Sequence, residues 1–532
     1  MNRSTLSLVA AAVALAAVTG FAAVTAPGGD SGKADAKGPA RLPVERSSLL
    51  CPAPSLSELA ETTYTAYTPK GSGEGSGGKA APPGTAVLKP AVTPLTDDTT
   101  AKPTDKGDKG DGKSGKGDKK GKKDKPSEKP DPNKAVVTLK EPGKPASATA
   151  SGSDAPALTG SADGLLAPGW SAQQTTVVSG GDTRAVLGTR CTEPDTDFWF
   201  PGASTAKTRL DYVHLTNPDD SAAVVDIELF GKDGPVKSEA GEGITVPAKS
   251  SVPVLLSTLT TAAADDLTVH VTTRSGRVGA VIQASDAKAG ADWLPASADP
   301  AASQVLPGIP ADATDVRLVV HAKGTDDADL KVRLAGGSGS FTPAGLDTVH
   351  VKSGMTASFD LKNVTRGEAG SLFLTPTSDG GKTPIVAALR VVRGTGDKQE
   401  TAYIPATAPV GDRSTAADNR AKGSTLALTA PTAAATVKVT ASPGTEGGEP
   451  QTKTYTVKAG TTLAVEPPVP AGLKGSYALT VETQPGSGPV YASRTLALPQ
   501  DGIPMFTVQT LPDDKGTVAV PAAKQDLSVL GD

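Results

Sequence analysis

Leu210-Asp211-Tyr212-Val213-His214-Leu215, then Asn217-Pro218-Asp219-Asp220, then Val224-Val225-Asp226-Ile227-Glu228-Leu229-Phe230 is the stretch that decides the fold. Apolar and polar residues alternate on both sides of an Asn-Pro-Asp-Asp cluster. Successive strand side chains point to opposite faces, so the stretch reads as strand, turn, strand with one face buried. Short alternating runs broken by Gly, Pro, Asp and Asn continue from about Thr205 onward. Stretches such as residues 257–265 are short, threonine-rich and lack a sustained apolar period of about 3.6 residues, so no helix is predicted there. The body is predicted to be all-β.

The pattern repeats. Val225-Asp226-Ile227-Glu228-Leu229 returns as Leu330-Lys331-Val332-Arg333-Leu334 and as Ala435-Thr436-Val437-Lys438-Val439, with Ile227, Val332 and Val437 each 105 residues apart. Val246, Val351 and Val457 open a second matching set at steps of 105 and 106, and Val278, Ile385 and Val490 a third at 107 and 105. Each unit closes on a hydrophobic-Pro pair: Leu294-Pro295, Ile404-Pro405 and Leu511-Pro512. A fixed period of this length means tandem units. They are predicted at 205–300, 301–410 and 411–532 as immunoglobulin-like β-sandwiches.

A divergent fourth unit is expected upstream, at 46–204. Arg184-Ala185-Val186-Leu187-Gly188-Thr189 leads into Asp197-Phe198-Trp199-Phe200-Pro201, which resembles the closing Asp292-Trp293-Leu294-Pro295. Its earlier strands are expected near 62–67, 85–88 and 135–139. A low-complexity insert at about 69–134 interrupts it; between 99 and 134, Lys outnumbers Asp plus Glu by twelve to seven. Such a tract cannot bury enough apolar surface to fold and is expected to be disordered. Cys51 and Cys191 are the only two cysteines. An even pair outside the cytoplasm reads as a disulfide, here stapling the interrupted unit.

Export is read from the N-terminus. Arg3 precedes Leu6 to Ala26, which carries no charge and consists mainly of Leu, Ala and Val. Residues 1–26 are therefore a signal peptide or signal anchor, a predicted transmembrane helix if uncleaved, and 27–45 a linker. With Arg3 inside, everything after the segment lies outside, membrane-anchored or secreted.

Composition narrows the function. The 53 basic and 57 acidic residues give a net charge of −4 and are dispersed outside the lysine-rich tract, which excludes a nucleic-acid-binding body. Aromatics make up only 3% of the chain, so cores must be built from Val, Leu, Ile and Ala. Gly107-Asp108-Lys109-Gly110-Asp111-Gly112-Lys113-Ser114 satisfies the phosphate-loop spacing, but no buried strand or helix flanks it and the match is a decoy. The same reasoning removes Gly73-Glu74-Gly75-Ser76-Gly77-Gly78 as a dinucleotide fingerprint. No nucleophile elbow, no His-Glu-x-x-His and no metal-ligand spacing is present, so no catalytic residue, cofactor or metal is predicted. His214 and His321 occupy nearly equivalent strand positions in adjacent units, which points to a shared structural role. Trp199 and Trp293 are candidate contacts, either for a ligand or for a neighbouring unit.

Met1-Asn2-Arg3-Ser4-Thr5-Leu6, Leu50-Cys51-Pro52-Ala53-Pro54 and the segment from Arg190-Cys191-Thr192-Glu193-Pro194 to Phe200-Pro201-Gly202 resemble an uncharacterised family of exported, signal-anchored proteins of high-GC actinobacteria. The resemblance covers most of the chain outside the insert. Its motifs are structural and imply export and β-architecture, with no established activity. The leading expectation is a non-enzymatic structural or interaction protein of the cell envelope, touching the membrane through its N-terminus and a wall polymer or envelope protein through its body. The alternatives are a wall-glycan-binding accessory protein using exposed aromatics, and a secreted hydrolase with an active site outside known motifs.

Overall fold

Where apolar residues alternate, the chain forms antiparallel strands, and the fold is all-β. The computed structural model describes residues 40–55, 57–71, 82–92, 131–180, 184–378 and 380–520. The apolar segment 1–26, the linker to residue 39 and most of the insert lie outside the described residues. No helix among the described residues is long and apolar enough to cross a membrane. The chain divides into two units. In the first, the described residues 40–42 and 519–520 lie in the strands Ala40–Pro43 and Thr517–Val520. The second, residues 43–518, contains all that follows.

Within it, strand pairing sorts the chain into four pairs of sheets, here called lobes I to IV. In lobe II one sheet runs Asp197–Ala203, Leu267–Ser275, Ala223–Gly231, Gly234–Val236; the other runs Ser251–Leu255, Arg209–Thr216, Gly279–Asp286, Gly290–Leu294. Lobe III repeats this order from Gln304–Ile309 to Lys398–Pro405, lobe IV from Arg413–Asn419 to Phe506–Thr510, and lobe I from Arg46–Cys51 to Ala185–Arg190. One apolar core fills each lobe from both of its sheets. Ile227, Val332 and Val437, the residues of the 105-residue step, are all buried in the equivalent strand of lobes II, III and IV. Burying each such side chain stabilises by roughly 1.5–3 kcal/mol.

The strand order differs from the immunoglobulin one. There the first two strands share a sheet; here the first strand lies in one sheet and the second, Arg209–Thr216 in lobe II, crosses to the other. Alternation tells a strand from a turn, but the choice of sheet is made by contacts far along the chain. Phe198-Trp199-Phe200 is also placed differently from expectation. Its strand pairs with Leu267–Ser275 and opens lobe II instead of closing lobe I, so the boundary falls near residue 196 and not at 204. An aromatic strand that opens a sandwich and one that closes it carry the same local signal. Register likewise pairs Leu294 with Ile282 and Ile404 with Leu389, whereas Arg494 pairs with Gln509. Leu511-Pro512 therefore stands two residues beyond the position of the other closing pairs.

The lobes do not trail one another as separate beads. Their last strands, Ala185–Arg190, Gly290–Leu294, Lys398–Pro405 and Phe506–Thr510, contact one another in cyclic order, so lobe IV packs back against lobe I. Tyr67 of lobe I packs on Ala417 and Ala478 of lobe IV, and Val186 on Ile503 and Met505. The Tyr67 hydroxyl lies 3.3 Å from that of Thr480, and the Val44 amide donates to the Gly516 carbonyl at 3.1 Å.

Candidate functional site

Cys51 ends the first strand of lobe I and Cys191 follows its last. The two are joined in a disulfide, with Cα atoms 4.4 Å apart and a sequence separation of 140, and both are fully buried. It ties one sheet of lobe I to the other, as expected from the sequence.

Trp293 sits between lobes. Its strand, Gly290–Leu294, places the indole against Ala60, Val178, Ala185 and Leu187 of lobe I and Val281 of lobe II. The His214 ring meets it edge-on at 5.2 Å. Trp199 fills the next junction. Its ring stacks on His270 at 3.7 Å, with Phe230 at 6.0 Å and, from lobe III, His321 at 5.3 Å. The Lys323 ammonium caps it 5.0 Å from the ring centre. The two indoles are only 1% and 4% exposed, so neither presents a face to a soluble ligand.

The structure sets His214 and His321 two residues out of step, because His321 pairs with Thr356 as Thr216, not His214, pairs with Ser251; what the two rings share is their surroundings. Each sits at its lobe's border with the preceding lobe, and burial pushes each imidazole down to about 4, so both are neutral packing groups. The lobe IV counterpart of His321 is Thr429, whose hydroxyl lies 2.7 Å from that of Ser371 of lobe III. His270 and His350 bind carboxylates instead, Glu228 at 2.9 Å and Asp329 at 2.8 Å. A buried ion pair within lobe II also reaches lobe III: Arg209 meets Asp211 at 2.8 Å and donates to the Tyr403 hydroxyl of lobe III at 2.8 Å.

All four lobes meet at a pair of carboxyl groups. Asp292 of lobe II accepts from the Gly188 amide of lobe I at 3.1 Å, and the Thr507 hydroxyl of lobe IV lies 3.1 Å from the same oxygen. Lobe III supplies Glu400. Asp292 is fully buried and Glu400 is 1% exposed. Burial pushes Glu400 up to about 9, assisted by the neighbouring Asp292 and opposed by the Ala291 amide. Burial likewise raises Asp292 well above the carboxylate range. Glu400 therefore keeps its proton at neutral pH, and Asp292 is shifted in the same direction. Sealed from solvent, Asp292 bridges lobes I and IV by hydrogen bonds while Glu400 is buried beside it from lobe III, and no substrate can reach either. Sequence reading missed both. Asp292 carries a signal, a carboxylate inside the buried run Ala291-Asp292-Trp293-Leu294; Glu400, in Lys398-Gln399-Glu400-Thr401, looks like an ordinary exposed hairpin.

Among the described residues no group of three or more His, Cys, Asp or Glu is placed to hold a metal. Fold and site together define a disulfide-bonded all-β protein whose distinctive polar residues serve lobe-to-lobe packing. Residues 146–468, more than half of the chain, match the model of a family of unknown function, DUF5719, and the chain belongs to that family. The match begins at the strand Ala146–Ser151 in lobe I and ends just past Thr461–Val465 in lobe IV, so it spans the lobe boundaries. No curated protein matches the chain.

Proposed function

We propose that this protein is a non-enzymatic, envelope-associated structural or interaction protein, exported across the membrane and presenting four β-sandwich modules as one rigid body. The observation that carries the reading is the return of lobe IV onto lobe I, which spends the tryptophans, two histidines and the carboxyl pair on cohesion. A disulfide persists in an oxidising compartment, which supports an extracytoplasmic location alongside the charge-free segment after Arg3. A closed body offers outer sheet faces and loops to partners while its shape stays fixed.

The test is fractionation of the producing cells followed by thiol alkylation without reductant. The reading expects the protein in the envelope or secreted fraction with Cys51 and Cys191 unreactive. Recovery in the cytoplasm with both thiols alkylated would overturn it.

A further inference from the structure

Among the described residues six non-glycine residues adopt left-handed backbone, with φ between 49° and 55°: Lys249, Asp266, Lys362, Arg366, Asp501 and Lys515. Glycine is the residue favoured in that region, so each of these side chains is held there against a local preference. Four of them put their charge into an ion pair: Lys249 with Asp220, Asp266 with Arg317, Asp501 with Arg184 and Lys515 with Glu193. Among the described residues Lys362 and Arg366 have no ion-pair partner.

These two cations stand together. Both line an open groove of about 470 Å³ in lobe III, whose buried floor includes Pro343, Leu361 and Val364. Phe341 lines it as well and is 46% exposed, whereas the other described aromatics are largely packed away. Asp360 also lines the groove, but its carboxylate is held by Arg317 at 3.0 Å. The volume lies within the range of small-ligand clefts, about 300–1,000 Å³. The loop is anchored from below: Leu361 and Val364 join the lobe III core, and the Thr365 hydroxyl donates to the Ala311 carbonyl at 3.2 Å. Two positive side chains are thus exposed, on backbone that glycine would relax, beside an exposed phenyl ring. Strain retained at adjoining positions of an open groove points to side chains kept for a ligand.

We propose that this groove binds a carboxylate-bearing polysaccharide. Lys362 and Arg366 meet the acid groups, Arg366 through its forked donors, and Phe341 packs on the C–H face of a sugar ring. An acidic peptide fits less well. The neighbouring edge strand, Ser340–Phe341, is two residues long and too short to template a peptide strand. The inference deepens the interaction role proposed above and rests on it for the compartment where such a polymer is met.

The experiment is calorimetric titration of the purified full chain with short oligogalacturonate, with neutral maltooligosaccharide and poly-glutamate as the other arms. Oligogalacturonate is expected to bind, more weakly as salt rises, and maltooligosaccharide not to bind. Lys362→Gly with Arg366→Gly should leave Tm equal or higher while affinity falls at least about tenfold. Lys362→Gln with Arg366→Gln, which removes charge without adding glycine, should lose affinity to the same extent, and Phe341→Ala should weaken binding too. The proposal is overturned if oligogalacturonate does not bind, if either double variant keeps its affinity, or if poly-glutamate binds equally and Phe341→Ala changes nothing. Failure here leaves the envelope role standing, and a cytoplasmic location would leave the titration result standing.

Discussion

Glu400 carries the clearest consequence at the residue scale. An unfolded glutamate loses its proton near its ordinary value of about 4.3, while the folded group holds it to about 9. Between those values the native state binds a proton the unfolded state lacks, so stability falls as pH rises. The contribution is complete below the ordinary value and is lost as pH climbs through about 9. Glu400→Gln keeps the shape of the neutral acid and removes the titration. Unfolding free energies from urea titrations at pH 5 to pH 9 should therefore decline in the wild type by at least about 1 kcal/mol more than in the variant; parallel declines would refute the assignment. Trp293→Ala removes an indole wedged between lobes I and II, and the same measurement at neutral pH should record a loss of about 3–5 kcal/mol.

At the scale of the strand, the first strands of lobes II and III share a bulge. Phe200-Pro201-Gly202-Ala203 and Leu306-Pro307-Gly308-Ile309 stand 106 residues apart, and pairing slips at both. Gly202 and Gly308 have φ of +103° and +84°. Their surroundings differ. A Cβ on Gly308 would meet Ser493 Oγ of lobe IV at 1.9 Å, whereas on Gly202 its nearest neighbour is 3.9 Å away. Gly202→Ala is thus expected to cost the backbone penalty alone, about 1 kcal/mol. Gly308→Ala adds a clash at a lobe border and should cost upward of about 2 kcal/mol, which paired denaturation curves will separate. The shared Pro-Gly is visible in the sequence, and the unequal cost is not, because Ser493 lies 185 residues away from Gly308.

For the whole molecule, closure makes the lobes interdependent. Tyr67, Val186 and Trp293 are each covered by a neighbouring lobe, so a lobe that opens exposes apolar surface on two others. Calorimetry should show residues 43–518 unfolding in one transition, with calorimetric and van't Hoff enthalpies in agreement. Four resolved transitions would mean the borders are weak. Reduction of the disulfide releases a loop of 140 residues, worth up to about 5 kcal/mol in the chain-entropy account. The single transition should shift to lower temperature with reductant and keep its cooperativity.

Much of the molecule could be read without coordinates. Alternation around Asn217-Pro218-Asp219-Asp220 located strands and turn, and the 105-residue step placed Ile227, Val332 and Val437 in equivalent buried strands. The lone cysteine pair announced its bond. These are local or periodic signals, carried by residues close together or regularly spaced. Tertiary structure alone decided which sheet the second strand of each lobe joins, that Trp199 opens lobe II, that lobe IV returns to lobe I, and that burial shifts Asp292 and Glu400 toward their neutral forms. Each of these depends on groups that come together from outside the local sequence, from Thr216 with Ser251 in one lobe to Tyr67 with Ala417 across two. The polarity around a side chain, and so its charge, is set by those distant neighbours and leaves no mark on the adjoining sequence.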